Sequence, residues 1–195
     1  MKTIIGFLFL IISIGHSNKV GIGVFLQGGG GINYRSAEGI CIPIVFQDRI
    51  LHNFEIGLGR HSKTNKSGQT ETLIAENKLL FSYFILFKTM SPTENIFLWF
   101  GPGISLDHVS TSVEIKGSPF NIENADTKEY SNSWRYFLEL SPEYLFSEHL
   151  SLRGGVSLGL MFPDSYSYYS WSSAGQPESE YVLSTQSKII VNFYF

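Results

Sequence analysis

The sequence predicts an all-β protein: an eight-stranded antiparallel up-and-down transmembrane β-barrel that follows a cleaved signal peptide. Three observations support this fold class: an export signal at the amino-terminus, eight segments in which apolar and polar residues alternate, and connections whose lengths alternate between short and long. A period of two is the pattern of a strand with one apolar face. A barrel closed by hydrogen bonds satisfies its own backbone without water, as a membrane interior requires.

Composition is consistent with a single exported domain. The chain has 195 residues and is 43% hydrophobic but only 16% charged, against roughly 25% charged residues in soluble domains. A net charge of −3 provides no basic surface for nucleic acid, so we expect no nucleic-acid partner. The single cysteine, Cys41, allows no intramolecular disulfide, and nothing in the sequence predicts a cofactor.

The amino-terminus has the layout of a signal peptide. Lys2 precedes an apolar run over residues 4–15, and small or polar residues follow at Ser17 and Asn18. The apolar run is shorter than the roughly 20 residues that a spanning helix needs. We therefore expect cleavage after Ser17, with residues 1–17 as signal peptide and residues 18–195 as the barrel domain.

Eight segments of the remaining chain alternate. The predicted strands cover residues 20–28, 39–46, 51–61, 71–88, 96–107, 134–146, 150–162 and 188–195. The segment over 71–88 is apolar on both faces, so periodicity does not assign its inner side. Pro102 falls on the apolar face of the fifth strand, which must therefore tolerate a missing ladder bond or a bulge.

The connections alternate in length. Short turns are predicted over residues 47–49, 89–95 and 146–149, and long loops over 62–70, 110–132 and 163–180. The first connection is intermediate, where the run Gly28 to Gly31 interrupts the first strand. With the mature amino-terminus at the inner side, every long loop lies outside and every short turn in the periplasm, which is typical of outer-membrane barrels.

The polar faces distinguish a membrane barrel from a soluble barrel with an apolar interior, such as a lipocalin. They carry repeated glycines and charges of both signs, which suit a narrow interior. The predicted interior charge network consists of Glu55, Asp107, Arg135, Glu139, Glu143, Arg153 and Lys188. The apolar faces then contact lipid, with Tyr83, Trp134, Tyr136 and Tyr144 as part of the aromatic girdles.

The last strand ends on an aromatic residue. Its apolar face is formed by Ile189, Val191, Phe193 and Phe195. Its other face is polar except for Ile190. Together with the signal peptide and the eight alternating strands, this series resembles the small eight-stranded outer-membrane β-barrel proteins of bacteria. The resemblance implies a place in the cell outer membrane, in contact with its lipid, and a terminal strand that is read by the barrel assembly machinery.

Candidate chemistry is sparse. His61 and Ser62 superficially resemble the catalytic pair of membrane-embedded lipid A deacylases, but adjacent residues on a strand point to opposite faces. His52, His108 and His149 show no metal-ligand spacing. The glycine run after the first strand precedes no helix, which argues against a nucleotide site. We therefore expect neither an enzyme nor a metal site.

The last predicted loop is rich in tyrosine, tryptophan and serine, a composition that favours binding loops. Its aromatic residues are Tyr166, Tyr168, Tyr169 and Trp171; equally, they suit strand ends at the membrane interface. The leading functional prediction is a structural or surface-interaction protein with a plugged polar interior and extracellular loops that bind a ligand. A narrow porin for small solutes is the second candidate, and a lipid A-modifying enzyme the third.

Overall fold

A computed structural model describes residues 19–30, 36–67, 70–116, 127–166 and 182–195. The predicted signal peptide, residues 1–17, lies outside these ranges. Among the described residues no helix is long and apolar enough to cross a membrane. The strands are β1 (Lys19–Gly30), β2 (Ala37–Phe46), β3 (Ile50–Ser67), β4 (Thr70–Thr93), β5 (Ile96–Lys116), β6 (Thr127–Leu145), β7 (Leu150–Tyr166) and β8 (Val182–Tyr194).

The eight strands form a closed barrel in sequence order, which confirms the predicted topology. Each strand pairs with its neighbours in an antiparallel register, and β8 closes the sheet against β1. At this seam Val24 lies opposite Val191 on the outer face, while Gly23 lies opposite Asn192 on the inner face. We call the end with the β2–β3, β4–β5 and β6–β7 turns the lower end, and the opposite end the upper end.

The strands are longer than the sequence pattern predicted. The β3–β4 ladder runs without a register shift from Ile50–Phe87 to Ser67–Thr70, so most of the predicted loop over 62–70 is strand. The β5–β6 ladder continues to Val113–Thr127, within the predicted loop over 110–132. In the β3 extension over residues 62–67 both faces are polar, which hid the strand, whereas backbone pairing needs no apolar face.

Several other strands also extend beyond their predicted boundaries. β1 extends to Gly30 through the glycine run, and β2 begins at Ala37. β4 continues to Thr93 through two register irregularities opposite β5, inside the turn predicted over 89–95. β7 continues to Tyr166, and β8 begins at Val182 rather than at residue 188. Ladder bonds to the neighbouring strands extend these elements beyond the segments with clear apolar alternation.

The barrel wall has two heights. β3 to β7 contain 18, 24, 21, 19 and 17 residues, whereas β1, β2 and β8 contain 12, 10 and 13. A transmembrane strand needs roughly 9–11 residues. The short strands are little more than one membrane crossing, and the long ones extend well past it at the upper end.

Three prolines interrupt the ladders without changing their register. Two successive residue pairs are absent from the described pairing at Pro43 between β1 and β2, at Pro102 between β4 and β5, and at Pro142 between β6 and β7. Each proline stays paired with its other neighbouring strand. Beside Pro142, the Ser141 hydroxyl donates to the Gly154 carbonyl at 2.7 Å. The fifth strand thus tolerates Pro102 through missing pairs, one of the two predicted solutions.

Candidate functional site: the charged barrel interior

The structure places all seven residues of the predicted charge network inside the barrel, each with less than a tenth of its surface exposed. An eighth interior charge, Lys78, was not predicted. It precedes Leu80 by two residues and so shares its face, but β4 is apolar on both faces and its inner side was not assignable from sequence. Among the described residues the buried charges balance: four cations (Lys78, Arg135, Arg153, Lys188) and four carboxylates (Glu55, Asp107, Glu139, Glu143).

The upper layer of the network joins β4, β5 and β6 through one carboxylate. Asp107 Oδ2 accepts from Arg135 Nη2 at 2.6 Å and lies 3.0 Å from Lys78 Nζ. All three side chains are nearly fully buried. Because the three side chains come from adjacent strands, their ion pairs reinforce this side of the barrel wall.

The middle layer is centred on Lys188 of β8. Its Nζ lies 2.7 Å from Glu55 Oε1 and 2.8 Å from Glu139 Oε2, and 3.3 Å from the centroid of the Phe84 ring. Asn53 Nδ2 donates to the same Glu55 oxygen at 2.6 Å. One ammonium from β8 thus pairs with two carboxylates, from β3 and β6.

The lower layer surrounds the Glu143 carboxylate with neutral donors. Oε2 accepts from Trp99 Nε1 at 2.7 Å, and Oε1 accepts from the Ser151 hydroxyl at 2.6 Å and the Tyr194 hydroxyl at 2.9 Å. Asn192 Nδ2 donates to Oε1 at 3.5 Å. The cluster connects β5, β6, β7 and β8, so the closing strand is tied to Glu143 by two of its inward residues.

Arg153 lies between the middle and lower layers and is fully buried. Its backbone is the direct cross-strand partner of Glu143. Even so, none of its three side-chain nitrogens has a hydrogen-bond partner among the described protein atoms. Its charge interacts electrostatically with Glu143 and Glu139. Both oxygens of Glu143 accept from neutral donors, and neither bonds to Arg153.

Glycines make room for these large interior side chains. A Cβ added to Gly155 would lie 2.9 Å from the Lys188 stem and 3.1 Å from Glu139 Oε1. A Cβ on Gly103 or Gly159 would overlap Phe137. Since an eight-stranded barrel is only just wide enough for its side chains, the inner face alternates absent and large side chains.

Cavities occupy the two ends of the barrel. One of about 590 Å³ at the upper end is lined by Gln27 and Lys188, and one of about 210 Å³ at the lower end by Trp99, Glu143 and Tyr194. The two cavities share no lining residue. The middle-layer carboxylates and Arg153 line neither of them.

The outer face is apolar. Exposed large residues follow one face of every strand, from Ile22, Val24 and Leu26 on β1 to Leu158 and Leu160 on β7. Three predicted girdle residues, Trp134, Tyr136 and Tyr144, point outward with 44%, 55% and 43% of their surface exposed, and Tyr83 is half-buried beside Phe54. Such a surface suits lipid rather than water.

The terminal-strand residues Ile189, Val191, Phe193 and Phe195 all lie on the outer face. The Phe195 N–H donates to the Val20 carbonyl at 2.8 Å, and the ring contacts that of Phe193 at 5.5 Å between centroids. Ile190, the apolar exception on the inner face, is fully buried against the upper interior. The carboxy-terminus is thus held at the β1–β8 seam.

The other candidate residues lie apart from the interior. Tyr166 is the last residue of β7, opposite Tyr130, whereas Tyr168, Tyr169 and Trp171 lie outside the described residues. His61 and Ser62 are consecutive exposed residues of β3, opposite Glu76 and Ala75. In the described part of the chain, no group of three or more His, Cys, Asp or Glu side chains is arranged to hold a metal ion.

Comparisons with known proteins find likeness in fold and little in sequence. No family model matches the chain, and none of the curated proteins matches it. The N-terminal β-barrel domain of Pseudomonas aeruginosa OprF is similar at 14% identity and TM-score 0.48, over 92% of this chain and 98% of that one. OprH of P. aeruginosa has 15% identity and TM-score 0.45, over 92% and 99%.

A third similar structure is Ail, the attachment invasion locus protein of Yersinia pestis, in complex with the heparin analogue sucrose octasulfate. It shares 7% identity at TM-score 0.47, over 90% of this chain and 94% of that one. The architecture of the present chain is established by its own coordinates. The closed ladder, the apolar exterior and the charged interior make it a small eight-stranded transmembrane barrel of the outer-membrane type.

Proposed function

We propose that this chain is an outer-membrane protein with a closed interior, which acts at the cell surface as a structural or surface-interaction protein rather than as a channel. One observation supports this most strongly: the described interior holds four buried cations and four buried carboxylates, and Lys188 of β8 pairs with Glu55 of β3 and Glu139 of β6. A balanced, packed interior needs no mobile counter-ions and leaves no room for hydrated ones.

A narrow porin is the alternative. It requires a continuous water path, whereas the two end cavities share no lining residue. Purified protein in planar lipid bilayers is expected to give no steady single-channel current, and a steady open current overturns the closed interior. A Lys188→Met variant is the matched comparison, because it removes the group that holds both middle-layer carboxylates.

Support for a surface role comes from the long strands β3 to β6, which we call the tall wall. β3 to β6 exceed a single membrane crossing by many residues. The upper part of β3 carries Arg60, His61, Lys63 and Lys66, all exposed. These strands extend beyond a single membrane crossing at the upper end. Tyr166 ends β7 at the same end, and Tyr168, Tyr169 and Trp171 follow it in the sequence. We assign the binding of an extracellular ligand to this upper surface.

Labelling of intact cells tests the orientation. In a Cys41→Ser background, Lys66→Cys at the upper end is expected to react with a membrane-impermeant maleimide on intact cells. Asp48→Cys in the β2–β3 turn is the matched control, and it is expected to react only after the outer membrane is permeabilised. The reverse result would place the tall wall in the periplasm and overturn the surface role.

For the terminal strand we propose recognition by the barrel assembly machinery. Ile189, Val191, Phe193 and Phe195 present an apolar outer face up to the last residue, at the seam that closes the barrel. Deletion of Phe195 is expected to reduce insertion in cells while refolding in detergent stays normal. Phe146→Ala, an exposed aromatic of the lower-end β6–β7 turn, is the control. Normal insertion of the truncated chain contradicts the proposal.

The proposed role includes no catalysis. His61 and Ser62 alternate between the two faces of β3, so they do not form a nucleophile and base within hydrogen-bond distance. Mass spectrometry of lipid A from cells with and without the protein is expected to show the same acyl chains. A lost or added chain would identify an enzyme.

A further inference from the structure

The upper part of β3 has one neighbouring strand instead of two. Leu58 is the last β3 residue that pairs with β2, whereas the pairing of β3 with β4 continues without a shift to Ser67. Among the described residues, no strand therefore pairs with the β2-facing side of residues 59–67. The side chains of residues 60–66 are all exposed. We call residues 59–67 the free edge of the tall wall.

The ladder register shows which backbone groups the free edge offers. The Lys88 N–H donates to the carbonyl of Arg49, the residue before β3, at 2.8 Å, and the register that follows is unshifted. Residues of an antiparallel strand bond alternately to one neighbour and to the other, so the odd-numbered residues of β3 bond to β4. The even-numbered residues of the free edge direct their N–H and C=O groups away from β4. They are Arg60, Ser62, Thr64 and Lys66.

The connection between β1 and β2 is too short to cover the whole free edge. The carbonyl oxygen of Ser36 lies beside Gly59, at the start of the edge. Only residues 31–35 connect Gly30 to Ser36, and an extended chain of that length reaches roughly 10 Å out and back. Residues 60–67 extend over roughly 23 Å. The half of the free edge nearer Ser67 therefore lies beyond the reach of this connection.

The charge of the free edge determines which strand it accepts. The edge contains three cations, Arg60, Lys63 and Lys66, and no carboxylate. Arg60 and Lys66 lie on the outer face and Lys63 on the inner face, because side chains alternate along a strand. Lys66 keeps 73% of its side chain exposed although Glu71 of β4 lies 3.7 Å away. Since opposite charges on facing strands stabilise their pairing, the edge favours a strand that carries carboxylates.

The same cations disfavour a second copy of the chain. Two copies in one membrane have the same orientation, so their β3 strands run parallel, and each brings the same three cations. Like charges on facing strands are destabilising, and lysine on an exposed edge is a common protection against self-pairing. The protection does not act against an acidic strand from another molecule.

We propose that the free edge binds an acidic polypeptide segment in the extended conformation, which adds to the tall wall as a further strand. The even-numbered residues of the edge bond to its backbone, and the three cations select its glutamate and aspartate side chains. Strand addition takes affinity from main-chain hydrogen bonds and specificity from side chains at alternate positions. The inference gives the chemical class of the extracellular ligand, and so it rests on the surface role proposed above.

A peptide of alternating glutamate and threonine, as long as the free edge and blocked at both ends, is the probe. Fluorescence anisotropy measures its binding to the detergent-solubilised barrel. The control peptide has proline in place of each threonine, so it keeps every carboxylate but loses backbone donors and the extended pairing conformation. Its affinity is expected to be at least about tenfold lower, because several hydrogen bonds are lost. Equal binding of the two peptides would show attraction by charge alone and overturn strand addition.

Thr64→Pro tests the same contact from the side of the protein. It removes an N–H that faces away from β4, a position at which an edge strand tolerates proline. Thr64→Ala keeps this N–H and is the matched control. Affinity for the glutamate–threonine peptide is expected to fall at least about fivefold in Thr64→Pro and to stay unchanged in Thr64→Ala. Full affinity in Thr64→Pro contradicts the proposal, and the comparison of peptides does not depend on this variant.

Selection by charge and access to the edge have their own readouts. Lys63→Glu is expected to weaken binding of the same peptide, whereas Arg49→Glu in the exposed β2–β3 turn is not; equal effects would overturn selection by the edge. By NMR, the amides of Ser62 and Thr64 are expected to exchange with solvent quickly in the free protein and slowly with bound peptide. Slow exchange without peptide would mean that another part of the chain covers the edge, and it overturns the site. Periplasmic labelling of Lys66→Cys would overturn the surface role, while binding by the purified barrel still decides on strand addition.

Discussion

The middle and lower layers of the barrel interior stabilise buried carboxylates in different ways. In the middle layer Lys188 forms direct ion pairs with Glu55 and Glu139 at 2.7 and 2.8 Å. In the lower layer the Glu143 carboxylate accepts hydrogen bonds from the neutral donors Trp99, Ser151 and Tyr194. Its cross-strand cation, Arg153, makes no direct bond to it. The difference teaches that cross-strand placement of opposite charges does not by itself produce an ion pair.

The two arrangements also differ in how they respond to loss of one member. A direct buried pair leaves an uncompensated charge when one partner is removed. A carboxylate solvated by neutral groups loses several hydrogen bonds of moderate strength. Three substitutions within the two layers separate the direct ion pairs from the neutral hydrogen bonds, and a fourth outside both layers is expected to have the smallest effect.

Removal of the shared cation is expected to have the largest effect. Lys188→Met leaves two buried carboxylates without their cation, and breaking a buried pair costs about 3–5 kcal/mol. The free energy of unfolding in urea, measured for the barrel in lipid vesicles, should fall by that order. Lys66→Met is the control, because the Lys66–Glu71 pair is mostly exposed at 3.7 Å. Equal losses in the two variants would contradict the central role of Lys188.

Neutralisation of Glu143 is expected to cost less. Glu143→Gln keeps one acceptor oxygen but loses the negative charge that interacts with four donors and Arg153. The free energy of unfolding is expected to fall by about 1.5–3 kcal/mol. The same vesicle assay measures it, with Glu148→Gln in the exposed β6–β7 turn as control. A loss larger than that of Lys188→Met would reverse the order of the two layers.

Crowding of the middle layer is expected to have a smaller effect. Gly155→Ala places a methyl group 2.9 Å from the Lys188 stem, which two carboxylates hold in place, and overpacking of this kind costs about 1 kcal/mol or somewhat more. Gly154→Ala is the adjacent control, since its nearest atom, Pro142 Cγ, lies at 3.8 Å. Equal unfolding free energies for the two variants would show that the Lys188 side chain moves aside at no cost in stability.

A change outside both layers is expected to have the smallest effect and the opposite sign. Gln47 and Asp48 in the β2–β3 turn have positive φ angles of 49° and 52°, a conformation that costs side-chain-bearing residues free energy and that glycine adopts freely. Asp48→Gly is expected to stabilise the barrel by under about 1 kcal/mol. Arg49→Gly, at a position without a positive φ, is the control and is not expected to raise the free energy of unfolding. If both variants are more stable, the effect comes from loss of the side chains rather than from relief of backbone strain.

Much of the fold and part of the site were predictable, for identifiable reasons. Alternation correctly assigned the faces of β1, β7 and β8, because each has one apolar and one polar or glycine-rich side. It did not assign β4, where Leu80, Phe84 and Leu86 are buried inside while Leu79 and Phe81 face outward. Lys78 was missed for the same reason.

The strand extensions show a second limit. Residues 62–66 of β3 are exposed and polar, so they show no alternation that distinguishes strand from loop. Cross-strand backbone pairing nevertheless continues as far as Ser67 and Thr70. Loop length therefore could not be predicted from apolar periodicity.

By itself, the sequence determined that the chain forms eight antiparallel strands with an apolar outside and charges of both signs inside, because side-chain direction alternates along every strand. Only the tertiary structure decided which charges meet: Lys188 of the last strand with Glu55 of the third, and Glu143 with Trp99 and Tyr194 rather than with Arg153. The physical reason is that partners across a closed barrel depend on register and barrel stagger, and the residues that meet here are 44 to 133 positions apart in the sequence.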